Sequence, residues 1–192
     1  MNFRELRNLA IVPLFTTIFW GGSPFAYRTV TENGAVLYVS ERPSLPLVSI
    51  SILIRAGSTY EPKEKAGLSY LTSQLLLQGT QNRSASRVNE ELEFVGADLA
   101  VIGSTDYVSI NLTLLKKDLP LGLEILSDII LSPAFNPPEM RKKTNEIISR
   151  IMKDEESPRY LATESFFSLL FGEDHPYGRL PEGNKDSLKV IP

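Results

Sequence analysis

Val48, Ile50, Ile52 and Ile54 alternate with Ser49, Ser51, Leu53 and Arg55, and Val108, Ile110, Leu112 and Leu114 alternate with Ser109, Asn111 and Thr113. A period of two belongs to a strand with one covered face, because successive side chains leave the backbone on opposite sides. Both runs therefore predict half-buried strands, the second over Tyr107–Leu114, in a sheet whose opposite face is more polar. Ala97–Ile102 reads as a further strand, joined to Tyr107–Leu114 by the turn Gly103–Asp106. A β-rich run, Ala35–Ser40, follows the tight-turn pair Asn33-Gly34, where the folded part is expected to begin.

Elsewhere the period is that of a helix. In Ala66–Thr80, Leu68, Leu71 and Leu75, with Leu76 beside them, form one apolar face. Tyr70, Gln74 and Gln78 recur four residues apart and share a second, polar stripe, with Ser73 next to it. A helix from near Ser84 to Val95 buries Val88, Leu92 and Val95 and ends at Gly96. Asp118 caps a helix carrying Leu119, Leu123, Leu126 and Ile130, closed by Pro133 and Pro137-Pro138. The next, from about Pro138 to Asp154, buries Met140, Thr144, Ile147, Ile148 and Ile151. Ser157-Pro158 opens another, whose apolar side includes Tyr160, Leu161, Phe167, Leu170 and Phe171, before Gly172 stops it. A last helix starts near Lys185. Strand, strand, helix, helix, strand, strand and then helices predict an α+β fold with helices on one face of a largely antiparallel or mixed sheet.

Composition narrows the chemistry. The 192 residues suit one domain with a sizeable core, and 42% hydrophobic with 22% charged residues is the balance of a globular protein. A net charge of −3 argues against nucleic acid, which calls for a basic surface. The chain holds one histidine, His175, and no cysteine. Neither thiol catalysis nor a zinc site built from two histidines can be assembled within it. Residues 1–26 have a basic start at Arg4 and Arg7, an apolar run Leu9–Trp20 and a small-residue exit Gly21–Ala26. They read as a signal peptide cleaved after Ala26, with an uncleaved anchor or an ordinary first strand or helix as the alternatives. Residues 27–192 are then the exported domain, periplasmic or membrane-associated in a bacterium.

The frame of Ala66-Gly67-Leu68 followed by Leu76 and Gly79-Thr80 resembles the helix of pitrilysin/insulinase-type metallopeptidases, which include the mitochondrial processing peptidase. In active members that helix carries the inverted zinc motif H-x-x-E-H. The resemblance places the first metal ligand on Tyr70, the general base on Ser73 and the second ligand on Gln74. A phenol stays protonated at neutral pH, an amide carbonyl suits hard cations better than zinc, and a hydroxyl is too weak a base for metal-bound water. Pro133-Ala134-Phe135 with Glu139 and Glu146 resembles the distal segment, in which the second of two glutamates separated by six residues is the third zinc ligand. That role maps to Glu146 and the first glutamate to Glu139. On a helix face the two can instead pair with Lys143 and Arg150 at i,i+4 spacing. His175-Pro176-Tyr177-Gly178-Arg179 and Gly183 resemble a later segment of the family, and His175 reads as a loop or helix-end residue rather than a ligand.

The likeness runs from about Val30 to the end and covers the first of two similar halves, truncated at the C-terminus. It implies no catalytic residue, no cofactor where active relatives hold zinc, and a non-catalytic partner or chamber subunit of an active zinc-peptidase paralogue acting on peptides. The alternatives are a zinc metalloendopeptidase whose site is completed unconventionally through Glu146 and His175, and a structural scaffold subunit.

Overall fold

The computed structural model describes residues 26–42 and 44–191. It divides into two units, Met1–Leu45 and Pro46–Pro192. In the first, β1 (Ala26–Val30) pairs antiparallel with β2 (Val36–Ser40), Val30 opposite Val36 and Ala26 opposite Ser40. The turn closes through Thr31 N–H to the Ala35 carbonyl at 2.8 Å, with Gly34 at φ 84°. The expected start at Asn33-Gly34 is thus too late. β1 lacks a clean alternation, since only Thr29 is even half-buried, and it exists through its ladder to β2. The expected leader lies outside the described residues except for Ala26, the first residue of β1.

In the second unit β3 (Leu47–Ile54), β4 (Asp98–Gly103) and β5 (Val108–Leu115) form an antiparallel sheet in the order β3-β5-β4. Register places Ile50 opposite Leu112 and Ile52 opposite Ile110, with Leu99 and Val101 on their other side, so the apolar positions of all three strands share one face. The opposite face carries Ser51, whose hydroxyl donates to Asn111 at 2.7 Å, and Ser49 beside Thr113 at 3.3 Å. The α+β class and the one-sided sheet are as expected. Among the described residues six α-helices complete the unit: α1 (Leu68–Leu75), α2 (Ala85–Phe94), α3 (Leu119–Leu131), α4 (Pro137–Asp154), α5 (Pro158–Phe171) and α6 (Lys185–Val190).

The sheet face is covered by α2 and α3, through Val88, Leu92, Ile125, Leu126 and Ile129. Gly122 sets the contact row of α3: a Cβ there would meet the Leu112 and Leu114 side chains at 3.0 and 2.9 Å. The row facing the sheet is therefore Gly122, Ile125 and Ile129, while Leu119, Leu123 and Ile130 flank it half-buried, a rotation from the expected stripe. A second cluster joins α1, α4 and α6 through Leu71, Leu75, Ile147, Ile151 and Leu188. Each such side chain contributes about 2 kcal/mol when fully buried. α5 departs from expectation. It has no buried residue; Tyr160 and Phe167 are half-buried, and Leu161, Leu170 and Phe171 are exposed. Its apolar residues are spread around the helix, so no single face can cover them all.

Candidate functional site

α1 is shorter than its sequence frame: it starts after Gly67 and ends at Leu75, with Leu76 as its cap, ahead of Gly79. Gly67 at φ 94° caps the start, and a Cβ there would lie 2.5 Å from the Glu182 carbonyl oxygen. Gly79 at φ 109° turns the chain so that Thr80 bridges Pro133. The first turn of α1 is satisfied by Glu61, whose carboxylate accepts from Gly67 N–H at 2.8 Å and Ser69 N–H at 2.9 Å. A negative charge there suits the positive end of the helix. Burial nonetheless pushes the Glu61 carboxyl above its ordinary value, against those hydrogen bonds.

Tyr70 and Gln74 lie one turn apart on α1 and are both half-buried. The Tyr70 hydroxyl accepts from Arg150 Nη2 at 2.8 Å, and the Arg150 guanidinium carbon lies 5.3 Å from the centre of the tyrosine ring. Ser73 does not share the polar stripe. It is fully buried, and its hydroxyl donates to the Tyr70 carbonyl at 2.7 Å. The cause is Gly103 at the end of β4, where a Cβ would come within 2.7 Å of Ser73 Oγ; the missing side chain lets the helix close onto the strand.

α4 brings a different residue to Tyr70 than the spacing implied. Glu146 is about half exposed and bonds Lys143 Nζ at 2.7 Å, which holds its carboxyl below the usual range. Glu139, at the start of α4, lines a polar cavity of about 540 Å³ with Gln78, Asn82, Ser84, Asn136 and Lys142. The expected pairs Glu139–Lys143 and Glu146–Arg150 are therefore replaced by Lys143–Glu146 and Arg150–Tyr70. One ammonium serves one carboxylate well, whereas the flat guanidinium gains by stacking on an aromatic face as well as donating. His175 accepts from Tyr177 N–H at 3.1 Å as the cap of a short turn, and its ring stacks on Phe171 at 5.7 Å. It is brought neither to Tyr70 nor to α4. Among the described residues, no group of three or more His, Cys, Asp or Glu side chains is placed to hold a metal ion.

Two arginines have partners that the sequence reading did not give them. Arg83, at the wall of the cavity, is 14% exposed and holds Glu91 at 2.9 Å, Glu124 at 2.6 Å and Asp128. Arg150 is separated from its partner by eighty positions, a contact no local spacing reveals. What the arrangement at Tyr70 can do is limited. A guanidinium is permanently charged, so a dication at the same place meets repulsion, and the phenol oxygen facing it already accepts a hydrogen bond.

The family model of insulinase, peptidase family M16, matches residues 36–175. The chain belongs to the insulinase family. Curated relatives include cytochrome b-c1 complex subunit 1, mitochondrial, of Bos taurus, 26% identical over 83% of this chain and 33% of that protein. A protein of Mycobacterium tuberculosis named an uncharacterized zinc protease is 26% identical over 86% of this chain and 38% of its own length. The chain thus spans about a third of the curated relatives it matches. Among solved structures, a peptidase M16 inactive domain from Pseudomonas fluorescens superposes with a TM-score of 0.82 at 21% identity, covering 87% of this chain and 40% of that one. A protease from Helicobacter pylori superposes at 0.79 with 18% identity, over 89% and 41%. Both likenesses establish the fold of this insulinase-family chain.

Proposed function

We propose that this chain is a non-catalytic member of the insulinase family that acts as partner or chamber subunit of an active zinc peptidase. The observation that carries the reading is the composition of the site. Tyr70, Ser73 and Gln74 stand at the positions that the resemblance gives to metal ligands and base, Ser73 is sealed, and Arg150 lies on Tyr70. Zinc needs imidazole, thiolate or carboxylate donors and an open position for water. A phenol tied to a permanent cation, a buried hydroxyl and an amide do not fit it.

Binding of other polypeptides is the function such a scaffold retains. α5 presents Phe166 at 57%, Leu169 at 87% and Leu170 at 58% exposure, an apolar surface of the kind that subunit contacts cover. β4, among the described residues, is paired only to β5, so its other edge offers backbone groups to an extended peptide. Residues 1–26 read as an export leader, which would carry this activity to the periplasm or a membrane, and residues 27–192 as the first half of a two-half architecture. A second reading, a structural subunit, is supported by the likeness to subunit 1 of the cytochrome b-c1 complex.

Affinity capture from the native source separates these readings. Recovery of a homologue carrying H-x-x-E-H supports the partner role, and stable co-purification with a membrane assembly supports the structural one. Stoichiometric zinc in the purified chain, with chelator-sensitive cleavage of an unstructured peptide, would overturn both and restore the metalloendopeptidase alternative.

A further inference from the structure

We infer that Arg150, and not Glu146, stands at the place on α4 from which a third metal ligand would have to come, so that this chain would refuse zinc even with two imidazoles supplied on α1. The inference deepens the non-catalytic reading and rests on its assignment of Tyr70 and Gln74 as ligand positions. Two donor atoms on one tetrahedral zinc lie roughly 3–4 Å apart. The head groups of Tyr70 and Arg150 meet at 2.8 Å, near the separation of two ligands sharing an ion. Glu146 directs its carboxylate to Lys143 instead. Lys143 and Arg150 are themselves separated by six residues, the spacing of Glu139 and Glu146, one helical turn further along α4. Where the resemblance called for two carboxylates, the face of α4 turned to α1 carries a guanidinium. Glu146 is then the counter-ion of Lys143 rather than a stranded ligand.

The test is metal binding by variants of the full chain, followed by calorimetry and by metal content after dialysis against zinc. The double variant Tyr70→His, Gln74→His is expected to remain metal-free, because Arg150 persists. Adding Arg150→Glu is expected to give stoichiometric zinc, with affinity raised beyond the roughly 100-fold that a supporting contact contributes. Adding Glu146→Gln to that triple variant is expected to leave the zinc in place. Arg150→His supplies a different third ligand should Arg150→Glu unfold the chain, with circular dichroism and thermal unfolding as the check. The inference is overturned if the double variant already binds zinc tightly and loses it with Glu146→Gln, or if folded triple variants bind no better than the double. Those failures leave the non-catalytic reading intact; only zinc in the unaltered chain would count against that.

Discussion

Arg83 and Arg150 carry the same group into opposite surroundings. Arg83 is nearly sealed and holds three carboxylates, two of them, Glu91 and Asp128, no more exposed than 17%. It ties the loop after α1 to α2 and α3, and Asn82 adds a hydrogen bond to Asp128 at 3.0 Å. Arg150 is exposed and meets a neutral phenol. The first is a structural post whose charge is outnumbered by the carboxylates it holds. The second, among the described residues, is in no salt bridge and feels Glu182 only through its charge, and it lies against the position that the resemblance assigns to a metal ligand. The difference teaches that what matters in this fold is the charge left over once partners are counted. By that measure the Tyr70 contact keeps a positive group, whereas the Arg83 cluster, with Arg87 also on Glu91, keeps a negative one.

The largest expected effect is at the first of these. Arg83→Met leaves Asp128 with only the Asn82 amide and Glu91 with only Arg87, and is expected to lower stability by about 3 kcal/mol in urea unfolding. A loss no larger than that of Arg150→Met would erase the contrast. Next comes the acid limb. Burial pushes the Glu91 carboxyl up, but hydrogen bonds from Arg83 and Arg87 outweigh it and hold the group below its ordinary value of 4.5. Its stabilisation is therefore complete above pH 4.5 and lost as pH falls through the lowered folded value. Glu91→Gln should flatten stability against pH in that window, and an unchanged slope would speak against the network.

Smaller effects are expected on the other side. Arg150→Met and Tyr70→Phe should each lose about 1 kcal/mol or less, and a double-mutant cycle should show them coupled. Purely additive losses would mean that the contact contributes nothing. The smallest effect is on Glu182, whose carboxyl burial raises above 4.5 while Arg150 draws it back. Its contribution to stability is present below pH 4.5 and lost as pH rises through the folded value, opposite in sign to that of Glu91. Arg150→Met should move the Glu182 titration further upward by NMR, and a downward move would place Arg150 elsewhere.

Much of the fold was legible. The alternation in β3 and β5 dictated a one-sided sheet, because a strand slipped by one residue would turn Ile50, Ile52, Ile110 and Leu112 toward water. Helix positions followed from period and from starts and stops such as Ser157-Pro158 and Gly96. The candidate site was legible only in part. Tyr70 and Gln74 could be placed on one stripe by spacing, yet Ser73 was misplaced beside it. Its burial depends on Gly103, thirty positions away, having no side chain. α5 misled for another reason, since apolar composition alone does not say whether a partner surface lies within reach.

By itself, then, the sequence determined the strands, most of the helices, the α+β class and the presence of one imidazole and no thiol, all of which follow from local periodicity or from counting residue types. Only the tertiary structure decided that Arg83 gathers three carboxylates, that Ser73 is sealed and that Arg150 rather than Glu146 reaches Tyr70. Those outcomes turn on where one helix comes to lie along another. A shift of a single turn there exchanges a carboxylate for a guanidinium, and no local pattern registers such a shift.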